Sequence, residues 1–188
     1  TKLSASGGAH ANPMQSPRAL IVEDDALTRD WLAECVSSAF GTAETVTADS
    51  VANALKTLGT FMPEIALVDL GLPDGSGVTV IEALREKSPT THAVVVTLSD
   101  DDRDLFRALR AGARGYILKD VDADRVVSFL QAIGSRPALS ERMAERMINR
   151  LNREGAEATS VNLAPRELDV LRLVAKGYST ADCAKLLE

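Results

Sequence analysis

The chain has 188 residues, of which 45% are hydrophobic and 26% charged, with a formal net charge of −6. That balance is ordinary for a globular protein and gives room for one full domain and part of a second. It contains no apolar run near the ~20 residues of a membrane span, and its two cysteines, Cys35 and Cys183, lie too far apart to suggest a disulfide scaffold or a zinc site.

Only 4% of the residues are aromatic, so the core must be mostly aliphatic. The charge is uneven. Residues 17–134 hold 11 Lys or Arg against 19 Asp or Glu, a net of −8, whereas residues 135–188 hold 9 against 8, a net of +1. A polyanion is repelled by the first part and tolerated by the second, which suggests two units with different tasks. No charged-then-apolar opening with a small-residue cleavage site is seen, and the expected location is cytoplasmic.

Residues 1–16 are Ala, Ser, Gly, Asn and Pro with little else, and read as a disordered tail. Met14 marks the expected native start, with 1–13 a foreign remnant. From Pro17 short apolar runs alternate with helical patterns. Ala19-Leu20-Ile21-Val22 reads as a buried strand ending in acids. Residues 26–39 repeat Leu27, Trp31, Cys35 and Val36 at helical spacing, and Gly41 stops that helix. Thr45–Ala48 is a second strand, and Ser50 caps a helix running to about Leu58. Ile65–Asp69 is a third apolar run, followed by a Gly/Pro/Asp/Ser loop over 70–77 and a helix over 78–87. Ala93–Thr97 is a fourth strand and 101–111 a fourth helix, ended by Gly112. Gly115–Leu118 and 122–133 complete the series. Strands that are continuous apolar runs are buried on both faces, as in a parallel sheet covered by helices.

In such sheets the working site lies beyond the carboxyl ends of the strands. The first strand ends in Glu23-Asp24-Asp25, the third at Asp69 and the fourth at Thr97, and Lys119 follows the fifth. Clustered carboxylates resist ionising together unless a positive charge sits among them. Mg²⁺ answers that need, because it takes oxygen ligands and uses one or two carboxylates directly. A metal held by carboxylates, beside a hydroxyl and a lysine, makes a phosphate site. Singly, each of these residues is an ordinary turn former, strand residue or surface lysine. Their placement across successive strands argues for a shared task.

Residues 18–134 resemble the receiver domain of bacterial two-component response regulators. The motifs that carry the resemblance are Ile21-Val22-Glu23-Asp24-Asp25, Leu67-Val68-Asp69-Leu70-Gly71-Leu72-Pro73-Asp74-Gly75-Ser76-Gly77, Val95-Val96-Thr97 and Ala111-Gly112-Ala113-Arg114-Gly115-Tyr116-Ile117-Leu118-Lys119-Asp120. The resemblance implies a five-stranded parallel, doubly wound (flavodoxin-like) α/β domain over 17–134. It implies that Asp69 accepts a phosphoryl group from a sensor histidine kinase. Glu23, Asp24, Asp69 and the backbone carbonyl of Gly71 would hold Mg²⁺, with Glu23 acting mostly through water. Thr97 would hydrogen-bond a phosphoryl oxygen, Lys119 would pair with it, and Tyr116 would be the aromatic that rotates on activation. The face built from residues 101–133 would be the output surface. Such a domain is a phosphoacceptor with at most slow self-dephosphorylation, not an enzyme. Leu98 stands where many receivers have Ala or Gly, and should narrow access to Asp69.

Residues 135–161 read as a linker with a helix over 140–153, carrying Arg142, Arg146, Arg150 and Arg153 at helical spacing. Leu163–Leu187 resembles the start of a LuxR-type helix-turn-helix, with Pro165 in a first helical turn and Gly177 and Ser179 between two helices. That implies a regulator of the NarL/FixJ type. In 162–188 the DNA-reading helix and the last helix of the family are lacking, so a partial, all-α domain is expected here. DNA binding is then expected only of the full-length protein, together with a homodimer on phosphorylation and no membrane partner. The alternative is a receiver that acts by protein contact without DNA. An aspartate-phosphoryl hydrolase is disfavoured because Gly71 stands where its second acid belongs. A dinucleotide-binding unit is disfavoured because Glu-Asp-Asp replaces the glycine-rich turn after the first strand.

Overall fold

The computed structural model describes residues 16–99 and 101–133. Residues 1–15 of the tail expected over 1–16, the linker helix over 140–153, the helix-turn-helix and Cys183 lie outside the described residues. Five strands, β1 (Arg18–Val22), β2 (Glu44–Ala48), β3 (Ile65–Val68), β4 (His92–Thr97) and β5 (Gly115–Leu118), alternate with α1 (Ala26–Phe40), α2 (Val51–Thr57), α3 (Val78–Lys87), α4 (Asp102–Ala111) and α5 (Ala123–Ala132). All strand pairings in the main sheet are parallel, in the order β2-β1-β3-β4-β5. This is the doubly wound arrangement expected from the apolar runs.

The alternation of side chains along each strand divides the core into two layers. Leu20, Val22, Ala66, Val68, Ala93 and Val95 face α2, α3 and α4, meeting Ala54, Leu58, Ile81, Leu84, Leu105 and Ala108. Ala19, Ile21, Ile65, Leu67, Val94 and Val96 face the other way onto Leu32, Cys35 and Val36 of α1 and Val126 and Leu130 of α5. Both faces are therefore apolar, which is why these strands carry no polar alternation. Burying each large aliphatic contributes about 1.5–3 kcal/mol before the entropy of ordering it is counted.

Local chemistry sets the boundaries. Asp25 accepts from the amide of Thr28 at the start of α1, Ser50 from Asn53 at α2, Asp101 from Arg103 at α4 and Asp122 from Arg125 at α5. Gly41 and Gly112 end α1 and α4 with φ of +71° and +117°, a region that favours glycine.

One element differs from the sequence expectation. The loop over 70–77 contains a short antiparallel hairpin, in which Gly71 pairs with Ser76 and Leu72 with Gly75. Leu72 is buried in the core and pins the hairpin to the body of the domain.

Among the described residues, no helix is long and apolar enough to cross a membrane.

Candidate functional site: an acidic rim clamped by a lysine

In a sheet of this order, the chain reverses its direction of growth between β1 and β3, and the crevice beyond their carboxyl ends is the natural site. Glu23 and Asp24 follow β1, and Asp69 follows β3. One carboxylate oxygen from each of the three lies within 4.8 Å of the others. Glu23 and Asp69 are buried, whereas Asp24 faces solvent. Asp25, the last of the acidic tripeptide, leaves this group and caps α1 instead.

Lys119, just past β5, reaches back across the rim. Its Nζ donates to Asp69 Oδ2 at 2.8 Å and lies 2.6 Å from Glu23 Oε2. The second contact is a close ion pair, so the ammonium is shared between two buried carboxylates. Burial pushes the Glu23 carboxyl above its ordinary range, against the pull of Lys119 and with a smaller push from the Asp69 charge. Burial alone would depress the Lys119 ammonium, but its bonds to Asp69 and Glu23 outweigh that and hold its pKa above the usual value. The lysine therefore stays charged at neutral pH.

Three clustered carboxylates, joined by no sulfur or imidazole among the described residues, suit a hard cation with oxygen ligands. Mg²⁺ fits that donor set.

The Asp69 backbone is fixed on several sides. Its amide donates to the carbonyl of Val22 at 2.9 Å, and the amide of Gly71 approaches Asp69 Oδ1 at 3.3 Å. Gly77, at the start of α3, packs beneath it, and a Cβ there would run into the Asp69 carbonyl oxygen. Glycine at position 77 is thus a requirement of close backbone approach.

Thr97 ends β4 and is buried. Its Oγ1 accepts from the amide of Ser99 at 3.2 Å, and its carbonyl accepts from the amide of Lys119 at 2.9 Å. The ring of Tyr116 is buried, and its hydroxyl donates to the carbonyl of Ser99 at 2.9 Å. Ser99 Oγ in turn contacts Asp104 Oδ2 in α4 at 2.8 Å. Leu98, between Thr97 and Ser99, is 77% exposed.

Glu23, Asp24, Asp69 and Lys119 therefore meet at one rim, and Thr97 and Tyr116 are linked beside it through Ser99. Three contributors were not singled out. Ser99 links Thr97 to Tyr116, Arg29 binds the carbonyls of Glu23 and Asp24, and Asp74 binds the amides of Val51 and Ala52. A serine two residues after a strand-ending threonine, and an aspartate in a Pro-Asp-Gly turn, are the only sequence signals for the first and last.

A parallel doubly wound sheet with a lysine-bridged carboxylate group at its switch point defines a protein of the receiver class. Residues 19–131 match the response regulator receiver domain family. The nitrate/nitrite response regulator protein NarL of Escherichia coli strain K12 is 30% identical over 172 residues, which cover 90% of this chain and 80% of that protein. The oxygen regulatory protein NreC of Staphylococcus carnosus strain TM300 is 33% identical over 133 residues, covering 66% of this chain and 61% of that protein. The crystal structure of a LuxR-family two-component response regulator from Aurantimonas sp. SI85-9A1 shares the fold, with a TM-score of 0.67 at 23% identity over 73% of this chain and 99% of that one. The chain belongs to the response regulator receiver-domain family and, within it, to the NarL/FixJ type.

Proposed function

We propose that the chain is a phosphorylation-activated regulator in which Asp69 receives a phosphoryl group from a sensor histidine kinase. The observation that carries this reading is the Lys119 ammonium shared between Asp69 and Glu23, with Asp24 alongside. Glu23, Asp24, Asp69 and the Gly71 carbonyl are the residues that would hold Mg²⁺, which supplies charge neutralisation for the phosphoryl oxygens when bound. Asp69 is the nucleophile. A carboxylate oxygen forms the new bond to phosphorus while the bond to the donor breaks. Lys119 pairs with the transferred group, and the Thr97 hydroxyl donates to one of its oxygens. This chemistry needs positioning and charge more than a base.

Phosphorylation brings about −1.5 to −2 of charge to the rim. Turning Thr97 toward it breaks the bond to the Ser99 amide, and through the Ser99 carbonyl this reaches Tyr116. The face of α4, β5 and α5 then carries the output. The alignment with NarL runs well beyond residue 131, which supports control of transcription through a LuxR-type domain in the full-length regulator, acting as a homodimer in the cytoplasm. The chain acts as a phosphoacceptor rather than a turning-over enzyme.

The test is incubation with acetyl phosphate and Mg²⁺, followed by intact-mass measurement. One acid-labile phosphoryl group is expected on the wild-type chain and none on Asp69→Asn. Equal labelling of the variant would overturn the assignment.

A further inference from the structure

Arg29 is the fourth residue of α1 and stands in its first turn. A cation there opposes the positive end of the helix dipole, so helix stability does not explain it. Its amide makes the ordinary helical bond to the carbonyl of Asp25 at 2.9 Å, but its side chain turns back. Nη1 donates to the carbonyl of Glu23 at 2.8 Å and to that of Asp24 at 3.2 Å.

These carbonyls belong to the two residues that leave β1 for the rim. In an extended strand, consecutive side chains point to opposite faces. Glu23 and Asp24 nevertheless present carboxylates to one group with Asp69, and the backbone bends at Asp24 to allow it. The Glu23 amide is still held by the carbonyl of Ala48 at 2.9 Å. The bend is thus fixed by the sheet on one side and by one guanidinium on the other.

We propose that Arg29 is a positioning residue for the cation site. By clamping the Glu23 and Asp24 carbonyls it fixes the bend that brings both carboxylates to Asp69, without itself touching the metal. Mg²⁺ is the demanding case, because it requires near-ideal octahedral geometry at about 2.0–2.1 Å. Groups that orient metal ligands from outside typically change affinity by about 10–100-fold when removed. Arg29 also lines an open polar cleft of about 430 Å³ with Asp49, Asn53 and Lys56. Its replacement therefore forces no overpacking.

This inference rests on the functional reading above, and the experiment separates the two. Mg²⁺ affinity is measured by titration calorimetry on the whole chain for wild type, Arg29→Met and Arg29→Lys, with melting temperatures recorded without metal. Met keeps the apolar stem and removes the donors, whereas Lys keeps a donor and the charge. The expected result is Mg²⁺ binding about 10–100-fold weaker in Arg29→Met and substantially restored in Arg29→Lys, with all three chains folded. Unchanged affinity in Arg29→Met would show that the clamp does not position the ligands. Tighter binding would show that Arg29 acts only as a competing charge. Either result overturns the proposal. Absence of Mg²⁺ binding by the wild-type chain would instead strike the functional reading itself.

Discussion

The hydroxyl of Tyr116 donates to the carbonyl of Ser99 at 2.9 Å, and the amide of the same Ser99 donates to Thr97 Oγ1 at 3.2 Å. The two side chains proposed to switch on phosphorylation are thus joined through one peptide segment. A third bond, from Ser99 Oγ to Asp104, ties that segment to α4. Movement of the Thr97 hydroxyl toward a phosphoryl group therefore disturbs the group that holds the tyrosine inward.

This linkage predicts coupling. Tyr116→Phe removes the neutral hydrogen bond to the Ser99 carbonyl, a loss that should cost about 0.5–1.5 kcal/mol in urea unfolding. Thr97→Val removes the acceptor for the Ser99 amide. Because both variants act through Ser99, the double variant should depart from additivity by at least about 0.5 kcal/mol. Strict additivity would mean that the segment does not transmit between the two residues.

Gly77 leads to a second expectation. A methyl group at this position meets the Asp69 carbonyl, a backbone atom that cannot turn aside as a flexible side chain can. Gly77→Ala should cost about 1–3 kcal/mol or more and should also slow labelling by acetyl phosphate, since relief requires moving Asp69. An alanine variant with wild-type stability and labelling rate would refute the close approach.

Much of the fold was legible because a parallel sheet covered on both faces leaves a direct trace. Ile65–Val68 and His92–Thr97 are almost unbroken apolar runs, and Gly41, Ser50 and Gly112 mark helix ends by backbone conformation or capping. The rim was legible because its acids, threonine and lysine fall at strand ends. The hairpin at 71–76 was not, since strands of two residues built around glycines carry no periodicity. Arg29, Ser99 and Asp74 were missed for a different reason. They bind backbone carbonyls or amides, or act through their own peptide groups, and such contacts leave no pattern of side-chain types. Asp25 was grouped with Glu23 and Asp24 because one turn of backbone decides whether an acid reaches the rim or caps a helix.

Glu23 carries a prediction about the opposition of stability and binding. Its folded pKa is raised, chiefly by burial. A group with a raised folded pKa favours the folded state below its unfolded pKa, and that contribution is lost as pH rises through the folded value. At pH 7 the buried charge is therefore a cost in the metal-free protein. Glu23→Gln should unfold at higher urea than wild type without metal, and should gain less from added Mg²⁺. At a concentration one hundred times its dissociation constant, a bound ligand contributes about 2.7 kcal/mol, so the order of the two chains should reverse at high Mg²⁺. A metal-free variant less stable than wild type at pH 7 would show that the Lys119 pairing outweighs burial.

Asp74 joins two parts of the rim that are far apart in sequence. Its Oδ1 accepts from the amide of Val51 at 2.7 Å and its Oδ2 from the amide of Ala52 at 2.9 Å. The loop that follows Asp69 is thereby fastened to the first turn of α2, whose amides have no helical acceptor. The bond to the Ala52 amide, followed by that to Val51, holds the Asp74 carboxyl below its usual range. A depressed folded pKa contributes stability that is fully present above the unfolded pKa, near 3.8 for this group, and is lost as pH falls through the folded value. Asp74→Ala should therefore melt below wild type at pH 7, and the gap should narrow as pH is lowered from 5 to 3. Asp74→Asn keeps one acceptor oxygen and should fall between the two, with a gap to wild type that narrows over the same range. Thermal melts of the three chains across this range provide the measurement. A gap that stays constant with pH would show that the carboxylate charge contributes nothing to the fastening.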